Sequence, residues 1–229
     1  MICSSNNFLL VGNSRLHWAN KLENESVFYH TEKFDKVPKD INLETLIWAA
    51  VGNLPQYFLK QENEIRTSDI QLDNLPNFFG VDRAFGCFAA LKIIENPEKK
   101  NLLVADFGTT LSITKITAEG KIIGGQIIPG FNTQLKSMEQ FTQNLRIPKK
   151  QYIPKREFLI NTQDAMLKGV FNSLIGAINL SFDPKVDMII TCGGDSELFS
   201  DRLRQANNKI IHEPNLVMIG MIEYYQSLI

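Results

Sequence analysis

Cysteine is scarce in this chain: three residues in 229, Cys3, Cys87 and Cys192, none at the short paired spacing of a disulfide framework or a zinc ribbon. They read as reduced, structural thiols. No charge sign dominates either, with 24 basic against 25 acidic side chains and a formal net charge of -1, so no whole-molecule field draws in nucleic acid or an anionic membrane. No apolar run approaches the roughly 18 residues that cross a bilayer. Met1-Ile2-Cys3-Ser4-Ser5-Asn6-Asn7 lacks the basic start and apolar core of a leader, so the expectation is a cytoplasmic protein with neither a membrane nor a nucleic-acid partner. The three histidines, His17, His30 and His212, have no metal-ligand spacing, and His17 beside Trp18 reads as packed or hydrogen-bonded. Neither G-x-x-x-x-G-K-S/T nor G-x-G-x-x-G occurs, which excludes a P-loop and a dinucleotide fingerprint.

What is there is a composition of 44% hydrophobic and 21% charged residues, enough for one large core or two modest ones. Phe8 to Trp18 reads as an apolar strand, a turn at Gly12-Asn13-Ser14 and a second strand. The device recurs from Leu102 to Thr114, with Asp106-Phe107-Gly108-Thr109-Thr110 at its bend and a third strand reached through Glu119-Gly120. Helical spacing follows in Asn132–Leu145, where Leu135, Met138, Phe141 and Leu145 share a face, and in Asn161–Leu174, where Gln163, Asp164 and Lys168 form the polar side. Asp187–Asp195 reads as a buried strand and glycine turn feeding a helix near Ser196. Leu43–Ala50 and Asp82–Ile94 are helix or strand-plus-helix segments, and Phe78, Phe79, Phe85 and Phe88 read as core aromatics. The charged, breaker-rich Asn96–Lys100 marks a boundary between halves. The expected architecture is α/β, with two similar lobes at residues 1–98 and 99–229 and a cleft between them.

The chemistry lies in the turns. A glycine followed by small polar residues offers backbone N–H groups and hydroxyls to phosphate oxygens with no Cβ in the way. A hairpin glycine chosen for positive φ explains one such turn as well; two in matched frames favour the phosphate reading. Asp106 ends an otherwise apolar strand, where a carboxylate is costly unless paired, bound to a cation or capping the turn. Asp82 and Arg83 stand side by side ahead of an apolar segment. There Asp82 can take a proton from a hydroxyl and Arg83 can hold an anion, although a solvated pair at a helix start has the same spacing. The basic, proline-stiffened Arg146–Arg156 reads as an exposed loop.

These segments, in this order, resemble the type III pantothenate kinases, enzymes of the duplicated ribonuclease H-like fold shared with actin, hexokinase and acetate kinase. Gly12-Asn13-Ser14 sits where that family has D-x-G-N-T, Gly80-Val81-Asp82-Arg83 matches G-x-D-R, and Asp106 to Thr109 matches D-x-G-T. Gly124 to Gly130 is similar to G-G-x-I-x-P-G, Asn161 to Ala165 to N-T-x-x-A, and Thr191 to Asp195 to its T-G-G-D turn. The resemblance implies ATP-dependent phosphorylation of pantothenate to 4'-phosphopantothenate, the first step of coenzyme A biosynthesis. It implies ATP binding at Leu10, Val11, Gly12, Asn13, Ser14, Arg15, Leu16, His17 and Thr109. Gly80, Val81, Asp82, Arg83 and Thr162 would bind pantothenate, with Asp82 as the proton acceptor. Asp106 would hold a monovalent cation, potassium or ammonium, beside magnesium carried by the nucleotide. Thr162 reaching a neighbouring subunit implies a homodimer with its site near the interface. Two positions depart from the family: Leu10 replaces its first-strand acid, and Asp73 and Asn74 stand where an aromatic usually precedes G-x-D-R. The first departure keeps open a catalytically weak or inactive nucleotide-binding regulator on the same fold.

Overall fold

The structure, a computed structural model, describes residues 6–22, 25–32, 41–54, 62–94, 101–183, 187–206 and 210–229. The chain forms two compact units, one of Met1–Glu95, Gly120–Ile122 and Asn215–Ile229, the other of Asn96–Glu119 and Ile123–Pro214. The linear division at residue 98 differs from this at the C-terminal helix, whose apolar residues are buried in the first unit. Asn96–Lys100 lies outside the described residues.

In the first unit, β1 (Asn6–Val11), β2 (Arg15–Lys21) and β3 (Ser26–Glu32) form an antiparallel meander, and β4 (Ile47–Ala50) returns parallel to β1, giving the order β3-β2-β1-β4. Placing β1 centrally buries both of its faces, which is why Phe8-Leu9-Leu10-Val11 is apolar without alternation. Leu9, Val11, Leu16, Trp18, Leu46 and Trp48 form a cluster on one face. On the other, Phe8 meets Tyr225 of α5 (Leu216–Gln226) edge to face at 5.6 Å. Helix α1 (Val81–Ile93) packs against α5 so closely that a Cβ on Gly220 would stand 2.0 Å from the Phe85 carbonyl oxygen.

In the second unit, β5 (Asn101–Phe107), β6 (Thr110–Ile116) and β7 (Ile122–Pro129) repeat the meander, and β8 (Asp187–Cys192) and β9 (Ile210–His212) extend it in parallel, giving β7-β6-β5-β8-β9. Helices α2 (Phe131–Phe141), α3 (Thr162–Ser181) and α4 (Glu197–Ala206) cover one face. Phe199 joins these layers, stacked on Phe107 at 4.5 Å and on Phe171 at 5.1 Å, with Phe131 edge-on at 5.9 Å. The two strand-turn-strand devices read from sequence are therefore the first hairpin of each sheet.

Three expectations change. Phe78 is 91% exposed while Phe79 and Phe85 are buried, because the chain reverses just before α1 and turns only the second ring inward. Phe141 is 78% exposed, since α2 ends there, and Leu135 takes the buried face. Lys168 is buried rather than part of a solvated face: its Nζ donates to the Pro154 carbonyl at 3.2 Å and pairs with Glu157 at 3.1 Å, tying the basic loop to α3. Cys87 and Cys192 are buried free thiols, and burial pushes Cys87 up to about 12, which leaves it an unreactive thiol. Cys3 lies outside the described residues.

Candidate active site

In the first unit the residues gather where β1 ends. The Gly12 N–H donates to the Arg15 carbonyl at 2.9 Å, closing a hairpin whose strands pair Val11 with Leu16 and Leu10 with His17. Leu10, Val11 and Leu16 are buried, so the chemistry of the turn falls to Asn13, Ser14 and Arg15, which are exposed, and to His17, which is half-buried. The His17 ring lies against Gly12, 3.2 Å from where a Cβ would stand. Burial, with the charges of His30 across the strand pair and Arg15 beside it, holds His17 below its ordinary value, which favours the neutral ring. The Val11 carbonyl accepts from the N–H groups of Val51 and Gly52, and the Val51 side chain faces Gly80, which brings the start of α1 next to this turn.

Asp82 lies in the first turn of α1, where the helix dipole favours an anion, and its Oδ1 accepts the Arg83 N–H at 2.7 Å. Burial outweighs these contacts and raises its pKa, which makes the carboxylate a stronger proton acceptor than a solvated aspartate. The Arg83 guanidinium stands 4.0 Å over the Phe79 ring. Phe79 is in turn fixed through its carbonyl, which accepts the buried Thr67 hydroxyl at 2.7 Å. The solvated-pair reading of Asp82 and Arg83 thus gives way to a seated one.

In the second unit, three segments named from sequence converge. The Gly108 N–H donates to the Thr110 carbonyl at 3.0 Å. The Thr109 carbonyl accepts the Gly130 N–H at 2.9 Å and the Thr133 hydroxyl at 2.6 Å, which fastens the start of α2 to the turn. From the other side, the Asp195 N–H donates to the Phe107 carbonyl at 3.0 Å. Asp106, half-buried, is in register with Ser112 and Cys192. A single carboxylate among backbone carbonyls and hydroxyls is a hard oxygen set, which fits a monovalent cation or a nucleotide-borne magnesium better than a protein-caged transition metal. Among the described residues no group of three or more His, Cys, Asp or Glu side chains gathers for such a metal. Thr162 sits elsewhere in this unit, exposed at the start of α3, where Asn161 caps the helix by accepting the Asp164 N–H at 3.0 Å. Beside it an open concavity of about 400 Å³ is lined by Pro148, Lys149, Lys150, Tyr152, Gln163, Asp164 and Leu167.

The glycines separate the two explanations of the turns. Positive φ among the described glycines is confined to Gly120, Gly124 and Gly193, so neither Gly12 nor Gly108 was selected for a left-handed backbone. At Gly12 close packing is reason enough, since a Cβ would stand 2.9 Å from the Arg15 carbonyl oxygen. At Gly108 a Cβ would meet only the Thr110 carbonyl oxygen, at an ordinary 3.8 Å. Neither strain nor crowding within the described chain asks for glycine there. Sequence reading gave no role to Thr133 or His212, whose signal is three-dimensional because each acts on a turn far from it in the chain, nor to Ser196, which acts on Gly193 three residues back.

Comparison with known proteins supplies the family and the fold. The type III pantothenate kinase family matches residues 37–183. Two enzymes named type III pantothenate kinase are similar over nearly the whole chain: one from Synechocystis sp., 28% identical over 93% of this chain and 87% of its own, and one from Nostoc sp., 30% identical over 93% and 91%. A third, from Chromobacterium violaceum, is 36% identical over 63% of this chain and 60% of its own. Among solved structures, a protein described as a Baf family transcriptional activator from Campylobacter jejuni superposes with a TM-score of 0.66 at 19% identity, covering 97% of this chain and 98% of its own. A protein described as a 2-dehydro-3-deoxygalactonokinase from Sinorhizobium meliloti does so with 0.61 at 11% identity, covering 97% and 99%. These likenesses show the fold, two ribonuclease H-like lobes of the actin and sugar-kinase kind. With the family match over residues 37–183 and relatives similar along nearly the whole chain, and with a half-buried, pKa-raised aspartate at the G-x-D-R position, the chain belongs to the type III pantothenate kinase family.

Proposed function

We propose that the chain transfers the terminal phosphoryl group of ATP to the hydroxyl of pantothenate, giving 4'-phosphopantothenate and ADP at the entry to coenzyme A biosynthesis. Asp82 takes the proton from the attacking hydroxyl, which its raised pKa suits, and Arg83, held over Phe79, pairs with the pantothenate carboxylate. Asn13 and Ser14 of the first turn and Thr109 of the second bind the nucleotide, with Gly108 leaving room for its phosphates, the remaining work in phosphoryl transfer being alignment and charge neutralisation. Magnesium arrives with the nucleotide. Asp106 would hold a monovalent cation, potassium or ammonium, which supplies positive charge near the phosphates. Thr162 completes the pantothenate site of a partner copy in a homodimer, and the enzyme works in the cytoplasm.

The observation that carries this reading is Gly108. Gly108→Ala is expected to leave the unfolding midpoint within about 0.5 kcal/mol of wild type. It should raise the KM for ATP by roughly tenfold or more, since a methyl group would occupy the phosphate side of the turn. Coupled ADP release with pantothenate, magnesium and potassium measures this, and an unchanged KM would remove the turn from ATP binding. Arg83→Lys keeps the charge but loses the planar fork and the stack on Phe79, so it should raise the KM for pantothenate by about tenfold with a smaller change in kcat. Titrating pantothenate at saturating ATP reads that split.

Leu10 favours a second reading, a nucleotide-binding regulator, because an apolar side chain stands where the second unit keeps Asp106. The same assay decides between them. Turnover above background excludes the regulator, and nucleotide binding without turnover supports it.

A further inference from the structure

The β8–α4 turn lies against Asp106 and is held by a hydroxyl network. Gly193 adopts φ +89°, and a Cβ there would stand 2.3 Å from Asp106 Oδ1, so this stretch of backbone is the wall against which that carboxylate rests. The Gly193 carbonyl accepts two hydrogen bonds, from the Ser196 N–H at 3.1 Å and from the Ser196 hydroxyl at 2.6 Å. Ser196 is 1% exposed, and its Oγ lies 2.9 Å from Nε2 of half-buried His212 on β9. A hydroxyl has one proton. Because Ser196 gives it to the Gly193 carbonyl, the bond to His212 forms only if Nε2 carries the hydrogen and donates. The neighbouring hydroxyls follow the same accounting: Ser200 Oγ donates to the Ser196 carbonyl at 2.7 Å, so its 3.0 Å contact with Thr191 needs the Thr191 hydroxyl as donor, which also reaches the Ile211 carbonyl at 3.4 Å.

We propose that His212 is a positioning residue: as its Nε2–H tautomer it aims the Ser196 hydroxyl at the Gly193 carbonyl, holding the turn against Asp106 and so fixing the carboxylate for nucleotide and cation. The inference rests on the proposed role of Asp106 but not on the identity of the phosphoryl acceptor. A donor at the Nε2 position is what the network needs; Gln supplies one at a similar reach, and Leu does not.

The experiment has two readouts on the intact protein, neither using pantothenate. Long-range imidazole ¹H–¹⁵N correlation spectra of the wild type should show His212 protonated at Nε2; an Nδ1–H tautomer would overturn the assignment. Calorimetric titration with magnesium-ATP in potassium buffer should show His212→Leu binding roughly tenfold more weakly than wild type, the size expected when a partner that orients a ligand group is lost. His212→Gln should return to within about threefold, because one neutral hydrogen bond is restored. Wild-type affinity in His212→Leu, or a glutamine variant as weak as the leucine one, would overturn the proposal. Should His212→Leu fail to fold, Ser196→Ala takes its place with the same expected weakening, since the Gly193 carbonyl then keeps only the Ser196 N–H. If the wild type binds magnesium-ATP but does not phosphorylate pantothenate, the functional reading falls while both tests of the network keep their meaning.

Discussion

Asp82→Asn is expected to lower kcat by about 10² to 10⁴, the usual span for losing a general base, while the protein unfolds at the same temperature or slightly higher at neutral pH. The two halves of that expectation share one cause. Burial raises the Asp82 pKa, so the ionised form that accepts a proton is also the form the folded protein tolerates least. With the folded pKa above the unfolded one, both states are protonated below the unfolded value and burial costs nothing extra. As pH rises through the folded value, the native state carries a charge that the unfolded state solvates better, and stability is lost. Asparagine removes that charge yet keeps Oδ1 as acceptor for the Arg83 N–H at 2.7 Å, so α1 retains its first turn. In the wild type, kcat/KM should fall toward acid pH with an inflection above that of a solvated aspartate, and the residual rate of the variant should lack that limb. Steady-state rates across pH, beside thermal unfolding at the same pH values, check both. Full activity in Asp82→Asn would take the residue out of the mechanism.

Local chemistry was the legible part of this chain. Phe8–Val11 and Leu102–Phe107 announce central strands because strands buried on both faces need no polar alternation, and the glycine turns announce hairpins through their small residues. Helix α1 was also legible, Asp82 and Arg83 opening a run whose inward side is Ala84, Phe85, Cys87 and Ala89. Helix α5 was not assigned from sequence. Leu216–Gln226 is apolar almost all round, so no helical stripe stands out against the period of a strand, and its place on the first unit is fixed by long-range contacts such as the Tyr224 hydroxyl on the Asp69 carbonyl at 2.6 Å. Strand β3 escaped for a related reason: at the sheet edge, Val27 and Tyr29 are exposed, and the strand is specified by pairing with β2 more than by burial.

The site shows the same boundary. That Asp82, Asp106 and the turn glycines matter follows from residue type and spacing. That Leu10, Val11 and Leu16 present only main-chain groups follows from burial, which sequence order does not carry. The unlike pair Leu10 and Asp106 takes its meaning from register as well. Leu10 lies in a row with His17, His30 and Ala49, whereas Asp106 faces Ser112 and Cys192, so each sheet surrounds its own residue with different partners. A carboxylate at position 10 would meet a half-buried imidazole where the one at 106 meets a hydroxyl.

Gly193→Ala should be among the most damaging single-methyl changes in the second unit. Two independent costs coincide there. A left-handed backbone at φ +89° is strained for any residue with a Cβ, by about 1 to 3 kcal/mol. The methyl would also stand 2.3 Å from Asp106 Oδ1 and 2.5 Å from the Phe107 carbonyl oxygen, and a backbone carbonyl has no rotamer by which to move aside; overpacking of this kind costs about 1 to 3 kcal/mol more. Together they come to roughly 2 to 6 kcal/mol, a large part of the stability of an ordinary domain. At about 2 to 4 °C per kcal/mol for a chain of this size, the midpoint should drop by roughly 4 to 24 °C. The strain should also reach the site, because relief requires pushing the 193–195 backbone off Phe107, to whose carbonyl the Asp195 N–H donates at 3.0 Å, or turning Asp106. Magnesium-ATP affinity should therefore fall together with stability, in contrast to Gly108→Ala, where affinity falls and stability holds. Gly194→Ala is the control, since a Cβ there meets nothing within 4 Å. Scanning calorimetry on the three variants, with nucleotide titration below each midpoint, separates these outcomes; a Gly193→Ala protein as stable as Gly194→Ala would show that the turn does not press on Asp106.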